Sequence, residues 1–401
     1  MGSGSPLRWV AIAGVTIAAC GRVLEPDEPS SLPDGGRDAS LADAPPPVDG
    51  APSETAPSSA PCSRAPSCPF SAPSSADPAC RRTRLYEPAQ VEFPHGIATS
   101  SGYVFWSSQI AADSEDVPYD GRGAARILRV SKAGGPDQDA FVVAHDQRNV
   151  RVVTATRSHV YWAAETEPAR FHVIEAAVDC EVSPCEARVV HRVQQGHVPE
   201  RLVALDEGTL LLMADNMVQL VPVAASTPTG APLRPLPDAF LFPNVARTQE
   251  DVFVASVADA ELLRLDRAAV SPSLVPFASL PTGDAGHPPG PAAIAGTCDR
   301  LWAVDERSEL FELSEDRATL ITTALPPGSW FDAVGDARYV YFGRANGGGV
   351  LAYDTQERAV SELFSGSAWH IAVDDDGIYI GDHGDGPKST YAGAIHVIAK
   401  D

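Results

Sequence analysis

Seven pairs of apolar residues, each separated by the same interval of seven residues, recur from about residue 91 onward. A polar turn rich in Gly, Asp or Ser lies between the two members, as in TSSG at 99–102 and DDDG at 374–377. An apolar strand, a tight polar turn and a second apolar strand predict a β-hairpin. The seven pairs are Ile97 and Val104, Val153 and Val160, Val203 and Leu210, Val245 and Val252, Ile294 and Leu301, Ala333 and Val340, and Ile371 and Ile378.

A third and a fourth apolar segment follow the hairpin in most units, as at 125–131 and 140–144. Successive hairpins begin 38 to 56 residues apart. Four short strands at this period are typical of a β-propeller blade. A single blade buries neither of its faces, whereas a ring of stacked blades buries both. The sequence therefore predicts an all-β fold, a β-propeller.

The chain length favours seven blades. Residues 91–401 give about 44 residues per blade for seven blades and about 52 for six, the alternative count. The last unit ends after its third strand, at Asp401. The segment 83–86, just before the first hairpin, has the position and character of the missing fourth strand. We expect it to close the ring by joining the two ends of the chain.

The first 20 residues have the layout of an export signal. Arg8 precedes an apolar run at 9–19, which is too short to span a bilayer. The stretch IAACG at 17–21 resembles the lipobox of bacterial lipoproteins, which implies cleavage after residue 19 and lipidation of Cys20. An ordinary signal peptide with a chance cysteine is the alternative. By analogy with enteric bacteria, Gly21 beside Cys20 favours the outer membrane, facing either the periplasm or the surface.

The segment 20–80 is predicted to be a disordered tether. Residues 21–80 contain 13 prolines and 11 serines and few large apolar residues. Such a composition does not bury enough apolar surface to offset the entropy lost on ordering. The predicted organisation is a signal peptide at 1–19, a Pro/Ser/Ala-rich tether at 20–80 and a propeller domain at 81–401.

The charge balance excludes one class of partner. The formal net charge is −23, and no Lys- or Arg-rich stripe offsets it. Phosphate backbones repel such a chain, so nucleic-acid binding is not expected. No apolar stretch reaches 18 residues, so the predicted membrane contact is the lipid anchor alone.

A family resemblance rests on the triplets VFW at 104–106 and VYW at 160–162 and on RVSKAGG at 129–135. These resemble the repeats of uncharacterised lipoproteins from myxobacteria and related bacteria, and more distantly those of YWTD, NHL and TolB-like propellers. The resemblance covers roughly residues 85–401. It implies the fold and leaves the activity open, because propellers include scaffolds, lactonases, lyases and quinoprotein dehydrogenases. The aspartate of a YWTD triplet is absent, since Ser107 and Ser108 follow Trp106, and Ala163 and Ala164 follow Trp162.

Six cysteines remain if Cys20 is lipidated, and an even number in an exported protein favours disulfides. Cys180 and Cys185 enclose a short loop between two strands of blade 2, and we predict a bridge between them. The sequence leaves open how the other four cysteines pair: Cys62, Cys68, Cys80 and Cys298. A bond between Cys80 and Cys298 is conceivable because Cys80 leads into the closing strand. The spacings indicate no zinc site.

Candidate ligand-binding residues lie where the inner strands begin, near the predicted axis. They are His95, Arg151, Arg201, Trp330, Trp369 and His370. A cationic cluster there would suit an anionic or sugar-like ligand, with the aromatic rings as stacking walls. The competing interpretation is that these side chains are solvated loop residues or channel packing.

No catalytic, cofactor or metal motif is evident. The sequence has no phosphate-binding glycine loop, no zinc-protease helix and no Gly-x-Ser-x-Gly elbow. The acidic stretches 374–376 and 381–386 contain closely spaced carboxylates, yet they match no complete calcium loop and also suit ordinary turns. We predict no catalytic residue, no cofactor and no metal.

Two functions are compatible with these features. The first is a membrane-tethered binding or scaffold module that displays its propeller to a protein or a glycan. The second is an exported propeller enzyme of the lactonase or lyase type, with its site at the axial mouth. The sequence favours the first. Buried acids and histidines with shifted pKa values at the mouth would favour the second.

Overall fold

The computed structural model describes most of the chain beyond residue 61. The described residues are 62–66, 82–88, 92–110, 124–215, 217–223, 232–235, 245–256, 260–267, 271–281, 290–322, 325–328, 330–344, 348–384 and 393–400. They form 28 strands and contain no helix, and hence no helix suited to cross a bilayer. The predicted signal peptide, Cys20 and the rest of the tether apart from 62–66 lie outside the described residues.

Twenty-seven strands follow one another in seven sheets. Blade 1 is β2 (Glu92–Thr99), β3 (Tyr103–Ile110), β4 (Ala124–Ser131) and β5 (Phe141–Arg148); blade 2 is β6 (Val152–Ala155), β7 (His159–Glu167), β8 (Arg170–Ala177) and β9 (Ala187–Arg192). Blade 3 is β10 (Pro199–Asp206), β11 (Thr209–Ala214), β12 (Met217–Pro222) and β13 (Pro232–Pro235). Blade 4 is β14 (Val245–Arg247), β15 (Val252–Ser256), β16 (Glu261–Asp266) and β17 (Ser273–Ser279). Blade 5 is β18 (Pro291–Gly296), β19 (Leu301–Asp305), β20 (Leu310–Ser314) and β21 (Arg317–Thr322). Blade 6 is β22 (Trp330–Gly335), β23 (Tyr339–Arg344), β24 (Gly349–Asp354) and β25 (Ala359–Phe364).

Blade 7 closes the ring. It consists of β26 (Ala368–Val373), β27 (Gly377–Asp382) and β28 (Ala394–Ala399), and its fourth strand is β1 (Arg82–Tyr86). The closing strand runs antiparallel to β28, with Arg82 opposite Ile398 and Thr83 opposite Val397. The prediction of seven blades closed by the segment 83–86 is therefore confirmed. The hydrogen bonds of β1 satisfy an edge that the last unit would otherwise leave open.

The repeated interval of seven residues is explained by the hairpin register. In blade 1 Thr99 lies opposite Val104, one on each side of the turn. Ile97 stands two residues before Thr99 and therefore points to the same face of the strand, seven residues before Val104. The turns are stabilised by side chains that accept backbone N–H groups, as where Asp336 Oδ1 accepts from the backbone N–H groups of Arg338 and Tyr339 at 2.9 and 2.7 Å. Short polar side chains suit these positions because they bond to the backbone two or three residues further on.

The core lies between the blades rather than inside any one of them. Phe105 packs in a cluster with Trp162 of blade 2, whereas its neighbour Trp106 packs with Tyr379 and Leu85 of blade 7. Successive side chains of a strand point to opposite faces, and both faces of each blade are buried. This explains why the second strands are continuously apolar. Burying each large side chain contributes about 1.5–3 kcal/mol.

The inner strands of all seven blades line a central channel of about 150 Å³. We call the end where these strands begin the axial mouth, and the end where they turn into the second strands the turn face. Towards the turn face, blades 4 to 6 approach very closely. A Cβ at Gly296 would overlap the Arg247 carbonyl, and one at Gly335 would overlap the Gly296 carbonyl. Only glycine fits at these two positions.

Residues 62–66, which we call the clasp, lie against the turn face. A disulfide joins Cys62 to Cys298 in the first turn of blade 5, with a Cα–Cα distance of 4.5 Å. The carbonyl of Ser63 accepts the N–H of Ala337 at 2.9 Å, and its hydroxyl accepts from Lys400 Nζ at 3.1 Å. Lys400 also forms a fully buried ion pair with Asp336 at 2.9 Å. The clasp thus attaches the part of the chain before the propeller to blades 5 to 7.

The disulfide predictions have two outcomes. The Cys180–Cys185 bridge is confirmed, with a Cα–Cα distance of 5.8 Å. Cys298 bonds to Cys62, and not to Cys80 as was conceivable from the sequence. The pairing joins cysteines 236 residues apart, a separation over which spacing in the sequence carries no information. Cys68 and Cys80 lie outside the described residues.

Candidate functional site

Side chains from opposite sides of the ring meet at the axial mouth. His95 lies on β2, Arg201 on β10 and His370 on β26, while Arg151 immediately precedes β6. All inner strands run in the same direction, so residues near their starts gather at one end of the channel. His383 joins them because β27 runs antiparallel to β26 and returns the chain to the mouth.

Three imidazoles and two aromatic rings form a group in the mouth. The ring centroid of His95 lies 5.1 Å from that of His370 and 6.0 Å from that of His383. The indole of Trp369 stacks on His383, with centroids 4.4 Å apart and planes inclined by 10°. Phe331 lies 4.6 Å from Trp369. Rings contributed by blades 1, 6 and 7 therefore share one part of the mouth.

Arg201 reaches across the channel from blade 3 to blade 6. Its Nη2 donates to the Phe331 carbonyl at 2.8 Å and lies 3.4 Å from Asp332 Oδ1. The other oxygen of Asp332 accepts the backbone N–H of Ile371 at 3.0 Å and lies 3.7 Å from His370 Nδ1. A single carboxylate therefore connects the guanidinium of blade 3 to the imidazole of blade 7.

The mouth shifts the pKa of its ionisable groups. Burial, together with the positive charge that His370, Arg151 and Arg201 carry or would carry, lowers the pKa of His95 to about 3. Burial and the neighbouring histidines hold the pKa of His383 well below its ordinary value. Burial opposes the ionisation of Asp332, but Arg201 and His370 outweigh it and lower its pKa. At neutral pH, His95 and His383 are neutral and Asp332 is charged.

The blade 2 and blade 3 side of the mouth carries an acid with the opposite shift. Burial and the nearby Asp215 raise the pKa of Glu200 to about 7, against the effect of Arg151 and Arg201. Arg151 Nε donates to Asn149 Oδ1 at 3.2 Å, and Asn149 in turn donates to Glu165 at 3.2 Å. Both mouth arginines thus lie close to carboxylates or to groups bonded to them. The positive charge expected from the sequence is largely balanced.

Five of the six predicted ligand-binding residues lie at the mouth, and Trp330 does not. Trp330 is 3% exposed and packs edge-on against Phe342 in the core beside blade 6. Trp330 and Phe331 are adjacent, and neighbouring residues of a strand point to opposite faces, so only one of them faces the mouth.

Sequence reasoning missed three members of the site: Asp332, Glu200 and His383. A signal existed for Asp332, which is a carboxylate in an otherwise largely apolar inner strand, and for Glu200, which adjoins Arg201. His383 lies within the acidic stretch 381–386, whose carboxylates suggest a turn rather than a mouth residue. Its place depends on the return of β27 to the mouth, which the hairpin pattern already indicated.

Residues 374–376 and 381–384, the described parts of the two acidic stretches, lie at opposite ends of blade 7. Asp374 closes the turn at the turn face, accepting the N–H groups of Asp376 and Gly377 and pairing with Lys132. Asp382 lies at the mouth end and accepts the N–H groups of Ser367 and Gly384. They therefore serve as separate turn caps. Among the described residues, no cluster of three or more His, Cys, Asp or Glu has the geometry of a metal site.

The geometry allows two kinds of chemistry at the mouth. Neutral imidazoles beside aromatic rings can form hydrogen bonds and stacking contacts with a ligand. An imidazole whose Nδ1 lies beside a charged carboxylate can also accept a proton at Nε2.

Comparison with known proteins identifies the fold. Neither a protein-family description nor a curated protein matches the sequence. Among solved structures, virginiamycin B lyase from Staphylococcus aureus is 13% identical, with a TM-score of 0.55 over 79% of this chain and 98% of its own. YCF48 from Cyanidioschyzon merolae is 10% identical, with a TM-score of 0.52 over 79% and 98%. The WD40 propeller of Doa1 is 10% identical, with a TM-score of 0.53 over 79% and 97%. All three share the propeller architecture with this chain.

Proposed function

We propose that this chain is a lipid-anchored, extracytoplasmic propeller that binds a protein or glycan partner at its axial mouth. The observation that carries the proposal is the convergence of His95, His370 and Trp369 with Arg201 from the far side of the ring. Side chains that only filled the channel would be apolar, whereas this group is polar and partly open to solvent. Polar and aromatic residues that meet only after folding, from opposite sides of a ring, have the character of a binding site.

Fold neighbours include propellers with bound partners. A YCF48 propeller has been solved with a D1 peptide bound. The similarity to this chain is one of fold, so it supports the plausibility of a binding role and names no ligand.

A binding screen with matched variants tests the role of the mouth. The full chain, a mouth variant carrying His95→Leu and Trp369→Ala, and the control His145→Ala would be applied to peptide and glycan arrays. His145 is a suitable control because its side chain is 54% exposed and lies on the outer strand of blade 1. We expect ligands bound by the wild type and the control to be lost from the mouth variant. Equal binding by all three proteins would reject the proposal, provided that circular dichroism shows each to be folded.

The anchor is a separate part of the proposal. The apolar run at 9–19 and the lipobox-like stretch at 17–21 support removal of residues 1–19 and lipidation of Cys20. Two or more acyl chains would hold the protein stably on a membrane surface, here the outer membrane. Labelling with an alkyne fatty acid should mark the wild type and leave Cys20→Ser unmarked. An unlabelled wild type would indicate an ordinary signal peptide.

One observation favours an enzyme as a second candidate. Asp332 lies beside His370 Nδ1, and His370 Nε2 is buried without a hydrogen-bond partner among the described residues. A charged carboxylate beside Nδ1 orients an imidazole as a general base requires, and a substrate would reach Nε2 only after side chains of the mouth move aside. The fold neighbours include a lyase for which a histidine-to-alanine variant is described as catalytically inactive. Turnover of lactone substrates that is lost in His370→Ala but retained in His145→Ala would establish this alternative. Turnover that persists in His370→Ala would exclude His370 as the base.

A further inference from the structure

The ion pair beneath the clasp brings an amino group and a carboxyl group together away from solvent. Lys400 follows β28 of blade 7, Asp336 lies in the first turn of blade 6, and both side chains are fully buried. Removing two charges from water costs free energy that their mutual attraction recovers only in part. A reaction that eliminated both charges would relieve this cost.

The carboxyl group of Asp336 is bonded in the way that an acyl group under attack requires. Its Oδ1 accepts the backbone N–H groups of Arg338 and Tyr339 at 2.9 and 2.7 Å. Two N–H groups on one oxygen stabilise the negative charge that develops there when a nucleophile adds to the carbon. Its Oδ2 accepts the hydroxyl of Tyr341 at 2.6 Å. Burial and the charge of Asp336 raise the pKa of Tyr341 well above its ordinary value, so this hydroxyl keeps its proton.

The amino group of Lys400 lies where the nucleophile is needed. Its Nζ is 2.9 Å from Asp336 Oδ2 and donates to the Ser63 hydroxyl at 3.1 Å. Burial lowers the pKa of Lys400, although Asp336 opposes this shift. Transfer of one proton from Nζ to Oδ2 leaves a neutral amine beside a carboxylic acid, and reactants fixed this closely have a very high effective concentration. Ser63 is 1% exposed, so the clasp keeps bulk water away from them.

A second lysine pair of the turn face provides a comparison. Lys132 follows the third strand of blade 1 as Lys400 follows that of blade 7, and it pairs with Asp374 in the first turn of blade 7. Asp374 also accepts two N–H groups of its turn. Lys132 lies 3.3 Å from another carboxylate, that of Asp376, whose side chain is 61% exposed. Water reaches this pair and favours two ions over an amide, so we expect Lys132 to remain a free amine.

We propose that Lys400 and Asp336 condense into an isopeptide bond, an amide that joins the end of β28 to the first turn of blade 6. Nζ of the neutral amine bonds to Cγ of the Asp336 carboxylic acid, and the negative charge of the intermediate lies on Oδ1. A second proton passes from the nitrogen to Oδ2, the bond between Cγ and Oδ2 breaks, and Oδ2 leaves as water. The amide nitrogen keeps one proton, which the Ser63 hydroxyl can accept. The reaction needs no further reactant.

Tryptic digestion of the full chain, after reduction and alkylation of its cysteines, tests for the bond. Trypsin does not cleave after an acylated lysine, so the expected product is a branched peptide in which 318–338 is joined to 389–401. Its mass is that of the two peptides less one water, and fragment ions should place the link at Asp336 and Lys400. We expect this product from most molecules. Recovery of 318–338 and 389–400 only as separate peptides would overturn the proposal.

Two pairs of variants test the chemistry. Lys400→Arg keeps the positive charge and should abolish the branched peptide, whereas Lys132→Arg should leave its yield unchanged. Tyr341→Phe removes the hydroxyl bonded to Oδ2 and should slow linkage about a hundredfold, followed as the linked fraction at successive times after synthesis. Tyr379→Phe, the corresponding change beside Lys132, should have no effect on the rate.

Each contrary result rejects a stated part of the proposal. A branched peptide that persists in Lys400→Arg would overturn the assignment of the bond to Lys400. Linkage of Tyr341→Phe at the wild-type rate would overturn the part given to its hydroxyl. Circular dichroism shows whether each variant is folded. If one is not, the digest of the wild type, which needs no substitution, still decides whether the bond exists.

Discussion

The two ends of the channel use the same residue types in different ways. At the turn face, Asp374 bonds to the backbone N–H groups of its own turn, at Asp376 and Gly377, and pairs with Lys132 of the adjacent blade 1. At the mouth, Asp332 contacts Arg201 from blade 3 and His370 from blade 7. The turn-face carboxylate therefore combines a local cap with a contact to an adjacent blade, whereas Asp332 makes a contact that needs the whole ring. The turn face thus joins neighbouring elements, whereas Asp332 links blades on opposite sides of the channel.

The largest difference in stability between the two ends should appear when one aspartate is removed from each of them. Asp336→Ala leaves the buried ammonium of Lys400 without its carboxylate and also removes the acceptor of Tyr341 Oη, which lies 2.6 Å away. We expect a loss of about 3–5 kcal/mol in the free energy of unfolding, measured by urea titration. Asp332→Ala at the mouth, where the carboxylate is 13% exposed and Arg201 keeps its bond to the Phe331 carbonyl, should cost about 1–2 kcal/mol. Equal losses would show that the mouth is as important to the fold as the turn face.

Removing the disulfide of the clasp should have the next largest effect. Cys62→Ser with Cys298→Ser opens a loop spanning 236 residues, whereas Cys180→Ser with Cys185→Ser opens one spanning only 5. Because a longer loop restricts the unfolded chain more, we expect about 2–4 kcal/mol for the first pair and less for the second. Melting temperatures of the two double variants provide the comparison. The reverse order would mean that the clasp contributes little to stability.

Acid should lower the free energy of unfolding because of His95. Its pKa is lowered to about 3 in the folded protein, against about 6.5 in the unfolded chain, so only the unfolded state gains a proton between these values. Stability should therefore fall as the pH drops from 6.5 towards 3. His95→Gln should remove about 2 kcal/mol of this fall, after allowance for partial solvation. His145→Gln, an exposed change on blade 1, should leave the pH dependence of stability unaltered. If His145→Gln reduces the fall as much as His95→Gln does, the pH sensitivity does not come from His95.

The smallest loss of stability is expected from breaking an exposed ion pair on the turn face away from the clasp. Arg267 and Asp206 are 2.6 Å apart, but their side chains are 46% and 42% exposed. Exposed ion pairs contribute about 0.2–1 kcal/mol, so Arg267→Ala should shift the unfolding midpoint only slightly. A loss comparable to that of Asp336→Ala would mean that the whole turn face, and not only blades 5 to 7, is tightly coupled.

Most of the fold was predictable because its determinants are local. The interval between Ile97 and Val104 follows from two strands and one turn, and the same hairpin register recurs in blade 4, where Val245 lies opposite Val254. The closing strand was predictable for another reason. The last unit lacked a fourth strand, and only one segment with strand character stood before the first hairpin.

The site was predictable only in outline. The position of His95 and His370 at strand starts indicated the mouth, since the ring brings all such starts together. The partners of these side chains were not predictable, because Arg201 bonds to a carbonyl 130 residues further on. The charge of the mouth was also not predictable. It depends on Asp332 and Glu200, whose effects require their distances from the arginines and their degree of burial.

The bond between Cys62 and Cys298 also determines how the molecule bears mechanical load. Tension applied to the chain ahead of Cys62 passes through this covalent link into the first turn of blade 5. The alternative route, along the backbone to Arg82, would pull on β1 and peel it from β28, the one pairing that keeps the ring shut. With the link intact the tension bypasses that seam. A propeller pulled through its amino-terminal tether would then stay closed under forces that would separate β1 from β28 if the Cys62–Cys298 disulfide were reduced.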